Sequence, residues 1–261
     1  AGVITLTNPA DIAQFSVNQV LQANVTSGGA PLAALGYVIA RSTMAGTITV
    51  STVSGGAAGT PALWAANQFL LRQGDNNSKM TGFSAWLPLV APTSTDNFYG
   101  VNRSVDTRLY GLAYPGSQAA IEETIIDASM LVARDGGDPR HHFTNFGTQS
   151  ALVKALGARR EYVDWKGPAQ IGFRGVEVQG PQGIIESYAD YSCQQATGFL
   201  LQLDTWKLMS AGGAIPHIKK YMDGTELFRI SNADAMEIRV GYFGNVTCRA
   251  PGWNSQITYG S

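Results

Sequence analysis

The sequence contains few charged side chains. Charged residues make up 14% of its 261 residues, well below the roughly 25% of an average soluble protein. The formal net charge is −1, so there is no global positive field, and nucleic-acid binding by counterion release is excluded as the main function. The shortage of charge, together with 30 glycines, favours a β-rich protein with tight turns.

Cysteine is also scarce, and neither of the two cysteines, Cys193 and Cys248, belongs to a CxxC motif. We therefore expect two buried, small apolar residues rather than a disulfide or a zinc site. No run of about 18 apolar residues occurs, so we expect no membrane span. The sequence begins without Met and lacks the pattern of a signal peptide at its start, so we expect a processed product or a fragment.

Motifs that carry chemistry are missing as well. The sequence has no GxSxG elbow, no Walker A loop and no dinucleotide-binding GxGxxG. Residues 55–59 form a glycine-rich stretch, but it lacks the lysine of a phosphate loop and is predicted to be a β-turn. We accordingly assign no catalytic, cofactor-binding or metal-binding residue and expect neither an enzyme nor a cofactor.

A few polar residues are weak candidates for a site. His141 and His142 are adjacent, so in a strand they point in opposite directions, and the remaining histidine is His217. Asp204 lies within an apolar run and is the best candidate for a buried acid. The other candidates are a pair of glutamates near the start of a predicted helix and four asparagines in N-x-Ser/Thr patterns: Glu122, Glu123, Asn24, Asn76, Asn102 and Asn245.

Charge distribution divides the chain. Residues 1–71 contain only Asp11 and Arg41, whereas the rest of the chain carries 35 of the 37 charges. Alternating apolar and polar residues separated by turn clusters predict five short strands in the first part, at 3–7, 20–25, 37–42, 47–52 and 68–72. We predict that residues 1–90 are a β-rich domain, a small barrel or sandwich.

The clearest predicted helix covers residues 117–134. Ser117 is a plausible N-cap, and apolar residues recur at helical spacing along two adjacent stripes. A second, shorter helix is predicted over 149–156. An irregular loop is expected over 93–110, between these helices and the first domain.

The remaining chain is predicted to be rich in strands. The turn at 180–183 predicts that strands 171–178 and 184–190 pair as a hairpin, and Asp223-Gly224 predicts another hairpin turn. Further strands are predicted at 161–165, at 199–209 and, as one long strand interrupted by two glycines, at 237–249.

The order of motifs from the helix onward resembles the C-terminal half of tailed-bacteriophage major capsid proteins of the Hong Kong ninety-seven-type fold. The similarity covers some 180 residues, and no single motif in it is diagnostic. The motifs that carry it lie at 71–75, 82–88, 121–128, 142–145, 152–157, 171–176, 180–183, 203–208, 233–242 and 250–254.

The resemblance implies an α+β capsid-type fold. Residues 91–261 would be the capsid core, formed by a peripheral domain with a spine helix at about 117–134 and by an axial domain that meets its copies at five-fold and six-fold axes. The strand at 237–249 would run back through that core, and the β-rich first domain would be an insertion. The N-terminal arm and E-loop of the family are not visible in this sequence.

The resemblance also implies a function. The chain would be the structural major capsid protein that self-assembles, through pentamers and hexamers, into the icosahedral head around the double-stranded DNA of a tailed phage. Expected partners are its own copies, scaffold, portal and decoration proteins, and weakly the packaged DNA, with no membrane. The expected location is the virion, after assembly in the bacterial host cytoplasm.

Two other classes of function compete with this one. The first is a phage or cell-surface β-rich protein that binds a ligand through residues 1–71. The second is a hydrolase with a loop-built site around Asp204 or the His141-His142 pair.

Overall fold

The computed structural model describes residues 2–116, 120–157, 176–211, 216–221, 224–232 and 234–260. Its first part is one antiparallel sheet of five strands in the order β1-β4-β3-β2-β5, in which β1 and β5 are the edges. The five strands are β1 (Val3–Thr5), β2 (Val20–Asn24), β3 (Pro31–Ser42), β4 (Thr47–Ser51) and β5 (Phe69–Arg72).

One face of this sheet buries a small apolar core. The largest fully buried side chains there are Leu21 and Ile48, and the 3-10 helix Pro9–Gln14 adds Ile12 to them. Trp64 covers the same core and donates its indole N–H to the Ala34 carbonyl at 3.2 Å. A Cβ at position 36 would lie 2.5 Å from the Trp64 ring, so only glycine fits beneath it.

The middle of the chain contains the helices. In order, the elements are α1 (Phe83–Trp86), β6 (Asn97–Phe98), β7 (Val101–Asn102), β8 (Leu112–Gly116), α2 (Ile121–Arg134), β9 (His141–Thr144) and α3 (Phe146–Gly157). After the undescribed stretch at 158–175, the described residues contain two 3-10 helices, Leu203–Thr205 and Pro251–Trp253, and ten strands. The strands are β10 (Val176–Gly180), β11 (Gly183–Ala189), β12 (Thr197–Leu201), β13 (Trp206–Ser210), β14 (His217–Ile218), β15 (Leu227–Arg229), β16 (Met236–Ile238), β17 (Val240–Gly241), β18 (Gly244–Cys248) and β19 (Ser255–Tyr259).

A mixed sheet of six strands organises the second part, in the order β10-β11-β9-β12-β19-β8. Its central strand β12 is buried at every residue. Leu200 points to the face covered by α2 and α3, where it joins Ile125, Leu152 and Ile257 in the largest core. This two-sided burial explains why β12 is a continuous apolar run rather than an alternating one.

The opposite face of the mixed sheet carries an aromatic cluster. Phe199 and Leu201 of β12 pack there with two residues at the end of the short helix α1, Trp86 and Leu87. The Phe83 ring lies 4.7 Å from the Trp206 ring in edge-to-face geometry, an arrangement that adds to simple apolar burial. The scattered tryptophan positions do not reveal this cluster in the sequence.

The predicted α+β fold class of the capsid type is wrong. Strands take up 37% of the described residues and helices 19%, and several of the sheets are small and antiparallel. The α+β architecture implied by the resemblance is therefore replaced by a β-dominated one. The error has a physical origin. Helix α2 gives the strongest periodic signal in the sequence, whereas a strand of only two to five residues gives a weak periodic signal.

Individual elements agree better with the sequence. The five strands of the first part, the two helices and the β10–β11 hairpin are confirmed, although α2 begins at Ile121 with Ala120 as N-cap. Ser117, Asp223, the strand at 161–165 and residues 171–175 of the predicted hairpin lie outside the described residues. The division into domains of residues 1–90 and 91–261 stays a prediction.

Three predicted segments are wrong. The strand at 237–249 is divided into β16, β17 and β18, so it does not run through a core. The strand at 199–209 is interrupted by the 3-10 turn Leu203–Thr205, and the loop at 93–110 contains the small hairpin β6–β7.

Candidate functional site

A chain of polar side chains, buried except for the half-buried Gln149, crosses the mixed sheet. The Tyr259 hydroxyl lies 2.6 Å from Nε2 of His142, whose Nδ1 lies 2.7 Å from the Ser187 hydroxyl, which in turn donates to Oε1 of Gln149 at 2.7 Å. Since Ser187 donates its only hydroxyl proton to Gln149, its oxygen accepts from Nδ1–H of His142. Nε2 of His142 then accepts from the Tyr259 hydroxyl. The hydrogen bonds therefore run in one direction, from Tyr259 through His142 and Ser187 to Gln149, and each of the four side chains has a partner.

The centre of this network, at His142 and Ser187, is closed to solvent. His142 is fully buried, and that burial lowers its pKa from 6.5 to about 3, while burial raises the pKa of Tyr259. A Cβ at Gly198 would lie 2.7 Å from Nε2 of His142, so the glycine makes room for the ring. The distance between Ser187 and His142 is that of a nucleophile and its base, but no substrate reaches either, so the pair stabilises the sheet.

The other residues singled out in the sequence are dispersed. Asp204 is exposed, so the prediction of a buried acid is wrong. Glu122 is buried and Glu123 exposed in the first turn of α2, and the N-x-Thr asparagine Asn24 is fully buried. Within the described ranges, no three His, Cys, Asp or Glu residues are grouped so as to hold a metal ion.

Both cysteines are free and half-buried. Burial, and secondarily the charge of Asp190, raises the pKa of the Cys193 thiol from 9.0 to about 11. Burial also raises the pKa of Cys248. Since the thiolate is the reactive form, these cysteines are structural rather than catalytic.

Alkylation kinetics test this assignment. At pH 8 a pKa of about 11 leaves Cys193 with about a hundredfold less thiolate than an ordinary thiol, so we expect it to react with a thiol probe about a hundredfold more slowly than an engineered Val105→Cys on the surface. Unfolding in urea should bring the two rates together. Equal rates in the native state would contradict the assignment.

An open cleft separates the first sheet from the last strands. It has a volume of about 600 Å³ and lies between the turn at 74–80 and the segment Tyr242–Asn245. Asn245 fixes one wall, because its Oδ1 accepts from the Thr81 backbone N–H at 2.7 Å and its Nδ2 donates to the Tyr99 hydroxyl at 2.6 Å. Sequence reasoning noted Asn245 only as part of an N-x-Thr pattern.

The described residues within 216–243 pair as a two-stranded ribbon, here called the arm. Its long strand, β16 followed by β17, pairs antiparallel with β15 near the tip and with β14 near the base. Met236, Ile238 and Val240 alternate along this strand and expose 68%, 59% and 65% of their surface. Ile218 and Leu227 lie directly opposite Val240 and Ile238, and both are also exposed. These five side chains form one apolar stripe.

The sequence contains the signal of this stripe but not its setting. Ile238 and Val240 alternate with Glu237 and Arg239, which predicts a strand with one apolar face. The resemblance implies that this face packs inside the same chain, but alternation alone does not show where the face packs.

Neither a protein-family model nor a curated protein matches the sequence. In the described part of the chain, no helix has both the length and the apolarity needed to cross a membrane.

Proposed function

We propose that this protein is a structural subunit that assembles with copies of itself into a closed shell, as the major capsid protein of a tailed bacteriophage does around its double-stranded DNA. The observation that carries the proposal is the apolar stripe of the arm, five exposed side chains on one face of a two-stranded ribbon. A chain that leaves such a face uncovered gains stability by covering it with neighbours.

The character of the surface supports the same function. The arm exposes an apolar stripe, and large apolar patches on a protein surface mark interaction sites. Residues 1–71 carry only two charges, and depletion of charge is typical of the core of protein interfaces. Because the fold class implied by the resemblance is wrong, the proposal rests on these surface properties and on the order of the sequence motifs.

The proposal includes the expected partners. Copies of the chain would form pentamers and hexamers, and scaffold, portal and decoration proteins would bind the resulting shell in the host cytoplasm and in the virion. With a net charge of −1, contact with packaged DNA would be weak and non-specific.

Assembly is measured directly by sedimentation velocity and negative-stain electron microscopy over a range of protein concentrations. We expect rings of five and six subunits, or closed particles, in cooperative equilibrium with free subunits. A single species of 27.7 kDa at every concentration, in buffers of low and high salt, would overturn the proposal.

The cleft beside Asn245 favours a second candidate, a β-rich protein that binds a ligand. A pocket of about 600 Å³ lies within the size range of small-molecule sites. A glycan or metabolite screen against the monomer tests this function. Saturable binding that is lost in Asn245→Ala, in a protein that never assembles, would favour this second candidate.

A further inference from the structure

We infer that the cleft between the turn at 74–80 and the segment Tyr242–Asn245 is a binding site for an uncharged saccharide, with the Tyr242 ring as the surface on which a sugar ring stacks. The inference rests on the second candidate function, binding in this cleft, and does not depend on self-assembly. It names the chemical class of the ligand, which follows from the construction of the cleft and from the groups that line it.

One wall of the cleft is held in place by two amide side chains. Asn76 donates to the Gly29 carbonyl at 2.8 Å, and Asn77 donates to the Gly28 carbonyl at 3.3 Å, so the turn at 74–80 is tied to the loop between β2 and β3. Gly74 has a φ of +82°, a conformation that glycine adopts without strain. The turn therefore keeps its shape without a ligand.

The opposite wall is held by a closed set of hydrogen bonds. Besides its bonds to the Thr81 backbone and to the Tyr99 hydroxyl, Asn245 donates to the Thr81 hydroxyl at 3.0 Å, and that hydroxyl lies 2.8 Å from the Tyr99 hydroxyl. The Tyr242 hydroxyl donates to the Met80 sulfur at 2.7 Å, so this bond joins the two walls. Both walls are preformed, and a ligand binds without the cost of ordering them.

Tyr242 gives the cleft an aromatic ring. Its hydroxyl is engaged with Met80, while the residue exposes 48% of its surface. An aromatic ring that is fixed in position and still exposed can bind the apolar C–H face of a sugar ring at little conformational cost. Gly74 and Gly244 also line the cleft, and their lack of side chains leaves room for a ligand.

The polar groups of the lining both donate and accept hydrogen bonds. The Lys79 ammonium lies 3.3 Å from Oδ1 of Asp75, a pairing that uses one of its three protons and one of the two carboxylate oxygens. The Lys79 side chain is 65% exposed, and the exposed Ser78 adds a hydroxyl from the same turn. Because sugar hydroxyls donate as well as accept, they match this mixed set.

The charge of the lining argues against an ionic ligand. Among the described residues that line the cleft, Asp75 and Lys79 alone are charged, and they neutralise each other. A phosphorylated ligand would need cations free to bind it and would be repelled by the Asp75 carboxylate. A divalent cation needs about six oxygen ligands and would be repelled by Lys79. An uncharged ligand with many hydroxyls avoids both costs.

Saturation-transfer-difference NMR on the full chain tests the inference. The probes are hexasaccharides of glucose, mannose, galactose and N-acetylglucosamine, each titrated to about 10 mM, and we expect at least one to bind with a Kd below about 1 mM. Inorganic phosphate and ATP are the charged probes, and we expect each to bind at least about tenfold more weakly than that saccharide. Binding of none of the four saccharides, or tighter binding of phosphate or ATP, would overturn the inference.

Matched variants of Tyr242 test the stacking. Tyr242→Ala removes the ring and should weaken saccharide binding at least about tenfold, whereas Tyr242→Phe keeps the ring, loses the bond to Met80 and should bind within about threefold of the parent. The control is Tyr191→Ala, which removes an exposed ring outside the cleft and should leave the affinity unchanged. Equal weakening by Tyr242→Phe and Tyr242→Ala would show that the residue only joins the walls, which overturns the stacking.

A second matched pair tests the polar lining. Asp75→Asn removes a carboxylate that sugar hydroxyls can donate to and should weaken binding about tenfold. Asp138→Asn likewise breaks a surface ion pair, with Arg140, but lies outside the cleft and should have no effect on binding. Because surface ion pairs contribute little to stability, both variants should melt like the parent. Binding that is unchanged in both Asp75→Asn and Tyr242→Ala lies elsewhere on the chain and overturns the inference.

The outcomes separate this inference from the proposed shell. Saccharide binding with the expected variant pattern, by a chain that stays monomeric at every concentration, supports the inference and overturns the shell. Shells whose subunits bind none of the four saccharides overturn the inference and leave the shell proposal intact.

Discussion

The free energy of unfolding should fall by up to about 1.4 kcal/mol for each pH unit below pH 6.5, and this fall should level off near pH 3. His142 is the cause. It is neutral and hydrogen-bonded in the folded sheet, where its pKa is about 3, but it takes up a proton with an ordinary pKa of 6.5 once the chain unfolds. Between these values the unfolded state binds more protons, so acid favours it, and the total loss is about 5 kcal/mol.

Urea unfolding followed by tryptophan fluorescence between pH 7.5 and pH 4 measures this effect. In His142→Gln we expect lower stability at pH 7.5, since the fit to Tyr259 and Ser187 is imperfect, but a much weaker dependence on pH. The neighbouring His141→Gln is the matched control, because His141 is only half-buried and should leave the parent's pH dependence intact. Parallel curves for His142→Gln and the parent would show that another group carries the acid sensitivity.

Local structure was largely readable from the sequence. In the first sheet, β1 and β4 follow from alternation of apolar and polar residues bounded by turn residues, and α2 follows from apolar residues at helical spacing ended by Gly136. These elements depend on interactions between residues close in sequence. The sequence pattern therefore predicts these elements without knowledge of the tertiary structure.

Long-range pairing was not readable. The network through His142 joins residues as far apart as His142 and Tyr259, 117 positions along the chain, and adjacent histidines in a strand give no hint of it. The same limit explains the wrong reading of residues 237–249. An apolar face on a strand predicts burial, and only the tertiary structure shows that the arm leaves its face uncovered.

Asn254→Ala should lower the free energy of unfolding by about 4 kcal/mol, a large effect for one small polar side chain. Asn254 is fully buried, and its Oδ1 accepts from the Gln202 backbone N–H and from the Trp206 indole N–H, both at 2.8 Å. Its Nδ2 donates to the Ala250 carbonyl at 2.9 Å and to the Thr205 hydroxyl at 3.1 Å. Alanine leaves these buried groups without their partner.

The position of Asn254 gives this loss a consequence for assembly. The chain leaves the mixed sheet after Gln202, builds β13, the arm and β18, and returns at Ala250. Asn254 binds both the departing and the returning segment, so it fixes the base from which the arm projects. If that base is less rigid, the position of the stripe relative to neighbouring subunits should be less well defined.

We therefore expect Asn254→Ala to impair assembly even at temperatures where the variant is folded, with a broadened distribution of oligomers in sedimentation velocity. The exposed Asn97→Ala is the control and should change stability by less than about 0.5 kcal/mol. Tryptophan emission adds an independent readout, because Trp206 loses its buried acceptor only in the first variant. If Asn254→Ala unfolds at the same urea concentration as Asn97→Ala, the buried amide does not hold β13 and β18 to the mixed sheet, and the arm is oriented by the β13–β18 pairing alone.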